Sequence, residues 1–503
     1  MVNTEDGESS SNLRSWIRIT FWPIYGKENW KFIPMLAMMT LALFIYTTLR
    51  IHKDTYILSA PLSSANTTSF LKAYLVLPFS VIYMMIFCSL SNKLSKEKIF
   101  FIALCPFFLF FFVFFIFLLP NSQYLHMSIE TISFWQNKYP NFKNLIPVIA
   151  YWSFSLYYVF SELWGTIVIS FLFWGFANYA SSAEQSKRFY AFFASYSYIG
   201  LMSAAKIQSY VYEYSSRYEK GSKEYFDILF VNFYFVIISM SLFLILFWFV
   251  NNKVLPFDKT VSIEAIKMTP KKKPSLKDSI FTVIGSKYLM YIAVIVICYG
   301  LTSNLIELTW KELVRREFNG EESLIGKYMS DFYFITGFCT IFLGLVNKYL
   351  TSKFGWLKSS LVTPIAIMIF SFFFFFLLVF GSYLPNWMLF GYSSGFLAMQ
   401  IGFLQDIISK GCKYGILDPN IQMTYLPLDD DLKTKGKASV DIVGSRAGKS
   451  GGAFLESNLS VLFKGADQIA LAPIFMPIVL CFCGVWIFFT IVLAEEYAKS
   501  IKK

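Results

Sequence analysis

Twelve long apolar segments run through the 503-residue chain, and this repetition limits its possible folds more than any other feature. Runs such as 107–115 and 372–376 are almost entirely phenylalanine, so a helix built from them has no polar face for water. A chain that is 56% hydrophobic and 20% aromatic cannot hide that surface in a soluble core. The segments lie near 32–51, 70–91, 99–119, 146–179, 188–209, 228–251, 285–309, 327–347, 359–380, 385–405, 439–462 and 471–494. The sequence therefore predicts an all-α polytopic membrane protein with about 12 transmembrane helices.

The segments divide into two groups of six at the polar stretch 252–284, which contains three prolines and the lysine run 271–273. We therefore expect a major-facilitator-like arrangement of two six-helix halves, in which helices 1, 4, 7 and 10 line a central cavity. The predicted units are an N-terminal tail 1–31, an N-terminal half 32–251, a basic linker 252–284, a C-terminal half 285–494 and a C-terminal tail 495–503.

Lysine and arginine residues are distributed unevenly between the two sets of loops, and this bias predicts the orientation. The termini and the loops on their side hold 28 of the 44, whereas the opposite loops hold nine. Both termini are therefore predicted to be cytoplasmic. The N-terminus has no apolar core, so the first helix is expected to act as the insertion signal. The sequon at Asn66 falls in the first predicted outer loop, where it is either a glycosylation site or a chance occurrence.

Composition argues against several other classes of function. A net charge of +12 would suggest a nucleic-acid partner in a soluble protein, but here it is the lysine excess expected of cytoplasmic loops. We therefore expect no binding to nucleic acid. The seven cysteines form no C-x-x-C pair, and the two histidines, His52 and His126, stand alone. The sequence thus predicts buried free thiols, no metal site and no cofactor.

Ionisable residues occur inside several predicted spans, where a charge is costly and usually serves a function. They are Lys53 and Asp54 at the end of helix 1, Glu162 in helix 4, and Glu307 and Lys311 in helix 7. Because these three helices line the cavity of a 6+6 transporter, such cations would suit a polyanion such as a phosphate chain. Two alternatives are ion pairs that only fix helix packing and interfacial charges that reach the headgroups. The interfacial alternative applies above all to Arg50, Lys206, Lys311 and Asp331.

The polar, glycine-rich stretch 417–452 lies between two apolar segments. Its first half is predicted to be a solvated cytoplasmic loop, and its second half brings Arg446 and Lys449 into helix 11. Segment 444–450, GSRAGKS, is one residue short of a P-loop and follows no buried strand, so a P-loop ATPase fold is not expected. Two hypotheses remain for its glycines: they let backbone approach phosphate oxygens, or they are close helix-packing positions.

Four ordered motifs resemble the family of ATP/ADP translocases, the nucleotide transporters of plastids and of obligate intracellular bacteria and parasites. They are FWPIYGKENWKFIPML with TLRIHKD, SELWGTIVISFLFWGFAN, NLIELTWKELV, and DPNIQMTYLPLDDDLKTKGKASVD with GKSGG. The match extends over nearly the whole chain. The resemblance implies that four charged residues are essential for transport, and these fall on Lys53, Glu162, Glu307 and Lys449. It also implies that the lysines meet the phosphates and that the glutamates take part in coupling.

The resemblance implies an antiporter that exchanges ATP for ADP, with or without accompanying phosphate, by alternating access and without hydrolysis. We expect the substrate phosphates to bind Lys53, Arg446 and Lys449, and we expect Asp54, Glu162, Glu307 and Lys311 to serve coupling. Alternatives are a family member that carries other nucleotides or NAD, a carrier of another organic anion, and a polytopic membrane enzyme. The partners expected are ATP, ADP and the lipid bilayer, and the protein is expected to be a monomer. The predicted location is the surface membrane of an intracellular, microsporidian-like parasite, with a relict mitochondrial membrane as the alternative.

Overall fold

The chain folds into helices throughout the part that the structure, a computed structural model, describes. The described residues are 24, 26–91, 93–220, 222–258, 284–385, 391–428 and 430–502. Among them are twelve long helices: α1 (Asn29–Ser59), α2 (65–91), α3 (96–118), α4 (152–180), α5 (183–215), α6 (223–254), α7 (Lys287–Glu317), α8 (322–354), α9 (356–380), α10 (394–424), α11 (Asp430–Leu462) and α12 (Ala472–Lys502). Because this number is even, the start of α1 and the end of α12 lie at the same end of the bundle. We call that end the termini side and the other end the opposite side.

Several helices contain irregular turns. A π-helical turn occurs in α2 (Leu71–Val76), α3 (Phe114–Leu118), α4 (Gly165–Phe173), α6 (Val250–Val254) and α10 (Lys413–Leu417). Such turns are frequent at functional sites, and those in α4 and α10 adjoin the charged residues described below. A break at Ser197 divides α5. Gly355 separates α8 from α9, and its φ of 81° lies in the left-handed region that favours glycine.

The outer faces of the helices are apolar enough to require lipid. Eight helical segments of the described chain are long and apolar enough to cross a membrane, and the longest of these contains both α8 and α9. The more polar α5, α10 and α11 are not among them. Large apolar side chains such as Leu109, Phe338 and Leu345 are more than 60% exposed, which water would penalise and lipid would not. The fold is therefore the all-α, multi-pass membrane class that the sequence predicts.

Each half is organised around its first helix. The first helix α1 packs against α4, α5 and α6, and α7 packs against α10, α11 and α12. The halves meet through two helix pairs, α2 with α11 and α5 with α8, and α1 also contacts α7 and α8. Each helix of the first half corresponds to the helix six places later, so α2 corresponds to α8 and α5 to α11. The pair α2–α11 is therefore equivalent to the pair α8–α5, as expected for two halves that are parallel repeats. One apolar core fills the N-terminal half, and a second fills the C-terminal half and reaches α5. The predicted two-half arrangement is confirmed.

The predicted end of helix 10 at position 405 is wrong, because α10 continues to Thr424. Only five positions then separate it from α11, so the predicted cytoplasmic loop is largely helical. The prediction from hydropathy ends the span where the first charged residues occur. In the structure, Asp406 and Lys410 form an ion pair inside the protein, so these charges do not mark the end of the helix. Lys410 and Lys413 lie in α10 and no longer count as loop residues. The termini side then has 26 lysine and arginine residues and the opposite loops have nine, so the orientation prediction is unchanged.

Two other predicted boundaries also differ from the structure. The first helix extends to Ser59 rather than 51, which places Lys53 and Asp54 inside it rather than at its edge. Helix α4 begins at Trp152, and the preceding Ile146–Ala150 forms a separate short helix, so the single long span predicted from 146 is wrong.

The sequon residue Asn66 lies in the first turn of α2 rather than in a loop, and its side chain is fully buried. Its amide donates hydrogen bonds to the Ser460 hydroxyl at 3.2 Å and to the Ala466 carbonyl at 2.7 Å. An N-linked glycan requires that same amide nitrogen at the surface, so this conformation excludes glycosylation there.

A candidate substrate site between the two halves

The last third of α1 brings a cation and an acid to the centre of the bundle. Lys53 is 2% exposed and Asp54 is fully buried. The Lys53 ammonium lies 2.9 Å from the Asp54 carboxylate and 3.0 Å from the Glu162 carboxylate of α4. It also lies 3.9 Å from the centre of the Tyr158 ring. These partners are required because taking an ammonium out of water is costly unless charges and dipoles of the protein replace the solvent.

A second lysine carries the charged contacts from α1 into the other half. Lys311 of α7 is 1% exposed, so the interfacial alternative is wrong for this residue. Its ammonium lies 2.8 Å from the Asp54 carboxylate and 2.7 Å from Glu307, one turn earlier on its own helix. The spacing of four residues places Glu307 and Lys311 on one face of α7. The Asp54–Lys311 ion pair therefore joins α1 to α7, and through them it joins the two halves.

Helix α10 extends this arrangement with two residues that the sequence prediction missed. Lys410 lies 3.3 Å from Glu307 and forms a closer ion pair with Asp406, one turn earlier. Both are buried, and the Lys410 ammonium lies 4.8 Å from the centre of the Phe332 ring. The acid and the lysine four residues apart were the available signal. The predicted span ended at 405, so both residues were assigned to a loop.

Charges alternate along the resulting row of side chains, which we call the central ion-pair chain. Its members in order are Glu162, Lys53, Asp54, Lys311, Glu307, Lys410 and Asp406. Each of the three lysines has two carboxylate neighbours, and the four acids exceed the lysines by one. The sequence predicts several cations in the central cavity and leaves open that they form ion pairs. In this conformation the three lysines are neutralised by carboxylates, and a phosphate chain reaches them only by displacing those carboxylates.

One arginine lies beside the central ion-pair chain without joining it. The Arg50 guanidinium carbon lies 5.2 Å from the centre of the Tyr46 ring and 4.8 Å from that of Tyr333. Its Nε is buried and donates to no partner, and no carboxylate of the described residues lies within ion-pair distance. The Tyr46 ring lies directly against Gly165 of α4. A larger residue would not fit there, because a Cβ at position 165 would lie 2.7 Å from that ring. The glycine of the SELWG motif therefore makes room for the aromatic neighbour of Arg50.

The halves are also joined by polar contacts between α2, α7 and α11 beside the central ion-pair chain. The Ser69 hydroxyl of α2 donates to Glu456 of α11 at 2.7 Å. Lys72 of α2 donates to the Asn304 side-chain oxygen of α7 at 2.8 Å, and the Asn304 amide donates to Glu456 at 3.1 Å. The sequence prediction included none of these residues, since Glu456 and Asn304 carry no motif and Lys72 lies near a span end.

The outermost layer of the opposite side closes the same gap. The Ala65 backbone N–H donates to the Glu312 carboxylate of α7 at 2.8 Å. Asn144, from the segment between α3 and α4, donates to the Ser460 hydroxyl at 2.8 Å and to the Gly465 carbonyl at 3.1 Å. These contacts link the N-terminal half to α7, to α11 and to the turn before α12. The structure is therefore closed on the opposite side.

Arg446 and Lys449, the predicted cations of α11, are helical in backbone, but their side chains lie outside the described residues. The helix around them is regular from Asp430 to Leu462. The backbone N–H groups of the GSRAGKS segment are therefore engaged in the helix and do not form a phosphate-binding loop.

The glycines of the same segment are packing positions. A Cβ on Gly448 would lie 3.0 Å from the Gly300 Cα and 3.1 Å from the Ile297 carbonyl oxygen of α7. A Cβ on Gly444 or Gly452 would likewise lie 3.1 Å from an α7 side chain. Small residues at these positions let α11 approach α7 closely. The helix-packing hypothesis explains these three glycines.

The aromatic side chains near α4 serve mainly as core. The Tyr157 hydroxyl lies 3.1 Å from His52, whose other ring nitrogen lies 2.9 Å from Gln208. The Trp164 indole donates to the Ala42 carbonyl at 3.1 Å. Tyr158 differs, since it contacts Lys53 of the central ion-pair chain. Within the described ranges, no group of three or more His, Cys, Asp or Glu side chains is placed to hold a metal ion.

Two six-helix halves that meet at a buried row of charges define a multi-pass membrane transporter of the major-facilitator type. Solved structures support this fold. A bacterial homologue of the iron transporter ferroportin, in an inward-facing state, matches with a TM-score of 0.56 at 10% identity over 92% of this chain and 98% of that one. A D-xylose-proton symporter matches with a TM-score of 0.54 at 14% identity over 88% of this chain and 96% of that one.

Sequence comparison then shows the family. The model of the TLC ATP/ADP transporter family matches residues 7–497, and the chain belongs to this family. The ADP,ATP carrier protein 1 of Rickettsia conorii is 35% identical over 499 residues, which cover 98% of each chain. The protein of the same name from Chlamydia pneumoniae is 33% identical over 492 residues, which cover 97% of this chain and 94% of the relative. The predicted family is confirmed, and the protein is a transporter rather than an enzyme.

Proposed function

We propose that the protein exchanges ATP for ADP across a membrane by alternating access, without hydrolysing either nucleotide. Family membership and the names of its relatives support the substrates. The observation that carries the mechanism is the Asp54–Lys311 ion pair, the one link of the central ion-pair chain that crosses between the halves. Opening the opposite side requires α1 and α7 to separate there, and this separation breaks that pair.

The central ion-pair chain also supplies a reason for exchange rather than free passage. When no substrate is bound, opening breaks the Asp54–Lys311 ion pair and leaves each of these buried charges with one partner fewer. Breaking a buried ion pair costs about 3–5 kcal/mol. A bound phosphate chain offers negative oxygens to Lys311 in place of the Asp54 carboxylate that it loses, and it also offers them to neighbouring Lys53. The transition is then favourable for a loaded carrier and unfavourable for an empty one. One nucleotide must therefore enter for another to leave.

The roles of individual residues follow this scheme. Lys53 is assigned to the substrate phosphates on its central position, and Arg446 and Lys449 on their charge and their place in α11. Asp54 and Lys311 are assigned to coupling, because they lose each other as partners when the halves move. Glu162 and Glu307 are also assigned to coupling, because they compete with the phosphates for the lysines beside them.

The excess of cationic residues on the termini side supports cytoplasmic termini. The relatives from Rickettsia and Chlamydia support residence in the surface membrane of an intracellular parasite, with a relict mitochondrial membrane as the alternative. We take the transport unit to be a monomer, because both halves of the site come from one chain.

The deciding experiment is uptake of labelled ATP into proteoliposomes preloaded with ADP, ATP, GTP, NAD or buffer. We expect uptake with internal ADP or ATP and only background uptake with buffer. Uptake that does not depend on the internal solute would contradict exchange, and uptake driven by GTP or NAD would reassign the substrate within the family.

Variants of the same protein test the phosphate residues. Lys53→Ala and Lys449→Ala should each lose uptake while still inserting into the membrane. Lys499→Ala is the matched control, since this lysine is 66% exposed near the end of α12 and pairs only with nearby Glu496. Near-normal uptake by both test variants would remove the two lysines from the phosphate site.

A further inference from the structure

We propose that Arg50 binds the phosphates of the substrate, and that in this conformation it provides the cationic contact that the three lysines of the central ion-pair chain cannot provide. The inference rests on the proposed nucleotide exchange and adds a specific residue to its site. Arg50 is not among the four charged residues that the family resemblance implies, and an interfacial position is one of the alternatives for it. The structure instead places it at the centre of the bundle between two tyrosine rings.

The first argument is the balance of charge around each cation. Lys53, Lys311 and Lys410 each lie within ion-pair distance of two carboxylates. Arg50 has no carboxylate at that distance among the described residues, and its buried Nε donates to no acceptor. A guanidinium left in this state is costly, because an unsatisfied buried donor loses its hydration without replacement. An incoming anion removes that cost, whereas at the lysines it must first displace a carboxylate.

The second argument is the way in which the guanidinium is held. Tyr46 and Tyr333 contact it through their ring faces, which attract a cation without accepting its N–H groups in directed hydrogen bonds. The N–H groups of the planar guanidinium therefore remain available as hydrogen-bond donors, and two of them can donate to two phosphate oxygens in a bidentate manner. The side chain is also only partly buried, so a ligand can reach its outer edge. Tyr46 is itself fixed against Gly165 of α4, which makes the support rigid.

The third argument is position. Arg50 precedes Asp54 by one helical turn, so it lies on the termini side of the central ion-pair chain. The contacts of Ala65 with Glu312 and of Asn66 with Ser460 close the opposite side beyond that chain, so a substrate that enters from the termini side meets Arg50 before it reaches that closure. Tyr414 of α10 is 38% exposed although it lies in mid-helix, and its ring contacts Tyr198 of α5 from the other half. Exposure at that depth indicates a central opening on the termini side.

The ligand class is a nucleoside di- or triphosphate held by its phosphate oxygens. The competing explanation is structural: in it, Arg50 is only a packing residue that joins α1 to α8 through its contact with Tyr333. The two explanations differ in what they predict for phosphate alone. A phosphate-binding residue determines the affinity for inorganic tripolyphosphate, whereas a packing residue determines the stability of the empty protein.

The test compares Arg50→Gln and Arg50→Lys with Arg217→Gln. Arg217 is the matched control, because it is exposed and its guanidinium also lies over a tyrosine ring, 5.1 Å from that of Tyr214. Two quantities are measured: the KM for ATP and ADP in preloaded proteoliposomes, and the rise in Tm that ATP or tripolyphosphate causes in detergent. A ligand that binds the folded state raises Tm by an amount that grows with the logarithm of its concentration relative to Kd, so the second measurement does not require transport.

We expect Arg50→Gln to raise both KM values by about ten- to a hundredfold, the range expected for one charged hydrogen-bonding partner. It should also abolish the Tm rise with tripolyphosphate while leaving the Tm of the empty protein near that of the wild type. Arg50→Lys keeps the charge but not the fork, so its KM values should lie between those of the wild type and Arg50→Gln. Arg217→Gln should match the wild type in both measurements.

The inference is overturned if Arg50→Gln keeps the wild-type KM values and the wild-type tripolyphosphate response. It is also overturned if the variant lowers the Tm of the empty protein while the ligand-induced rise persists, since that result assigns a packing role. Should Arg50→Gln fail to fold, wild-type KM values and tripolyphosphate response in Arg50→Lys overturn the inference as well. A wild-type protein that exchanges no nucleotide refutes the proposed function, and the tripolyphosphate response then still decides whether Arg50 binds phosphate.

Discussion

At the scale of single residues, the lysines of the site are held between acids. Lys53 contacts both Asp54 and Glu162, and Lys311 contacts both Asp54 and Glu307. A free buried lysine would hold a phosphate chain tightly and release it slowly. Carboxylates that compete for the same ammonium reduce the net gain from binding, so the substrate can leave again. A transporter needs this reversibility, because it must release on one side what it bound on the other.

The glycines of α11 permit a residue-scale prediction. Gly448→Ala places a methyl group against backbone atoms of α7 at 3.0 and 3.1 Å, which cannot move independently of the helix. We expect overpacking of about 1–3 kcal/mol, larger than the gain in helix propensity of about 1 kcal/mol. Gly451→Ala is the matched control, since its nearest neighbour atom would lie 3.6 Å away. Thermal unfolding in detergent should give a Tm below wild type for Gly448→Ala and at or above wild type for Gly451→Ala. The reverse order would contradict close packing of α11 on α7 at Gly448.

At the scale of helices, Asp54 and Lys311 form the charged link between α1 and α7, and charge counting predicts how their variants behave. The central ion-pair chain carries one excess negative charge in the wild type. Lys311→Gln raises that excess to two, Asp54→Asn removes it, and the double variant restores one. We expect Lys311→Gln to destabilise the protein most, by about 3–5 kcal/mol, and the double variant to lose less than the sum of the two single variants.

The measurement is a double-mutant cycle on thermal unfolding in detergent. The exposed i,i+3 pair Glu496–Lys499 provides the control cycle, and its coupling should stay within about 0.5 kcal/mol. Additive losses at Asp54 and Lys311 would show that the pair does not link the helices.

The helices themselves could largely be predicted from the sequence, because long apolar runs leave few alternatives in a membrane. The charged residues of α1, α4 and α7 were predictable for the same reason, since each interrupts an apolar run. Asp406 and Lys410 were not, because a hydropathy pattern cannot distinguish charges that face water from charges that pair inside a protein. The contact of Arg50 with Tyr333 was equally hidden, since that ring comes from α8, far from Arg50 in sequence.

At the scale of the whole molecule, the two halves repeat one design, and their contacts are concentrated where the substrate path is closed. The pairs α2–α11 and α5–α8 are equivalent under exchange of the halves, so both can act as surfaces on which one half rocks against the other. On the opposite side, Asn66 and Ser69 of α2 both contact the C-terminal half. Alternating access requires these polar contacts to break together, because they lie on one helix that moves as a rigid element.

Cross-linking tests whether this end must open. Cysteines at Asn66 and Ser460, whose side chains are 3.2 Å apart, would join α2 to α11 when cross-linked by a short bifunctional thiol reagent. We expect the cross-linked protein to lose ATP uptake and to regain it on reduction, because the opposite side can no longer open. The control pair replaces Ser64 and Asn144, which are 2.8 Å apart within the N-terminal half, in the same background with the native cysteines replaced. Cross-linking that pair leaves the halves free to move, so uptake should persist. Full uptake by the cross-linked Asn66–Ser460 pair would mean that substrate passes without separation of α2 from α11, and rocking of the two halves would then have to be abandoned as the transport motion.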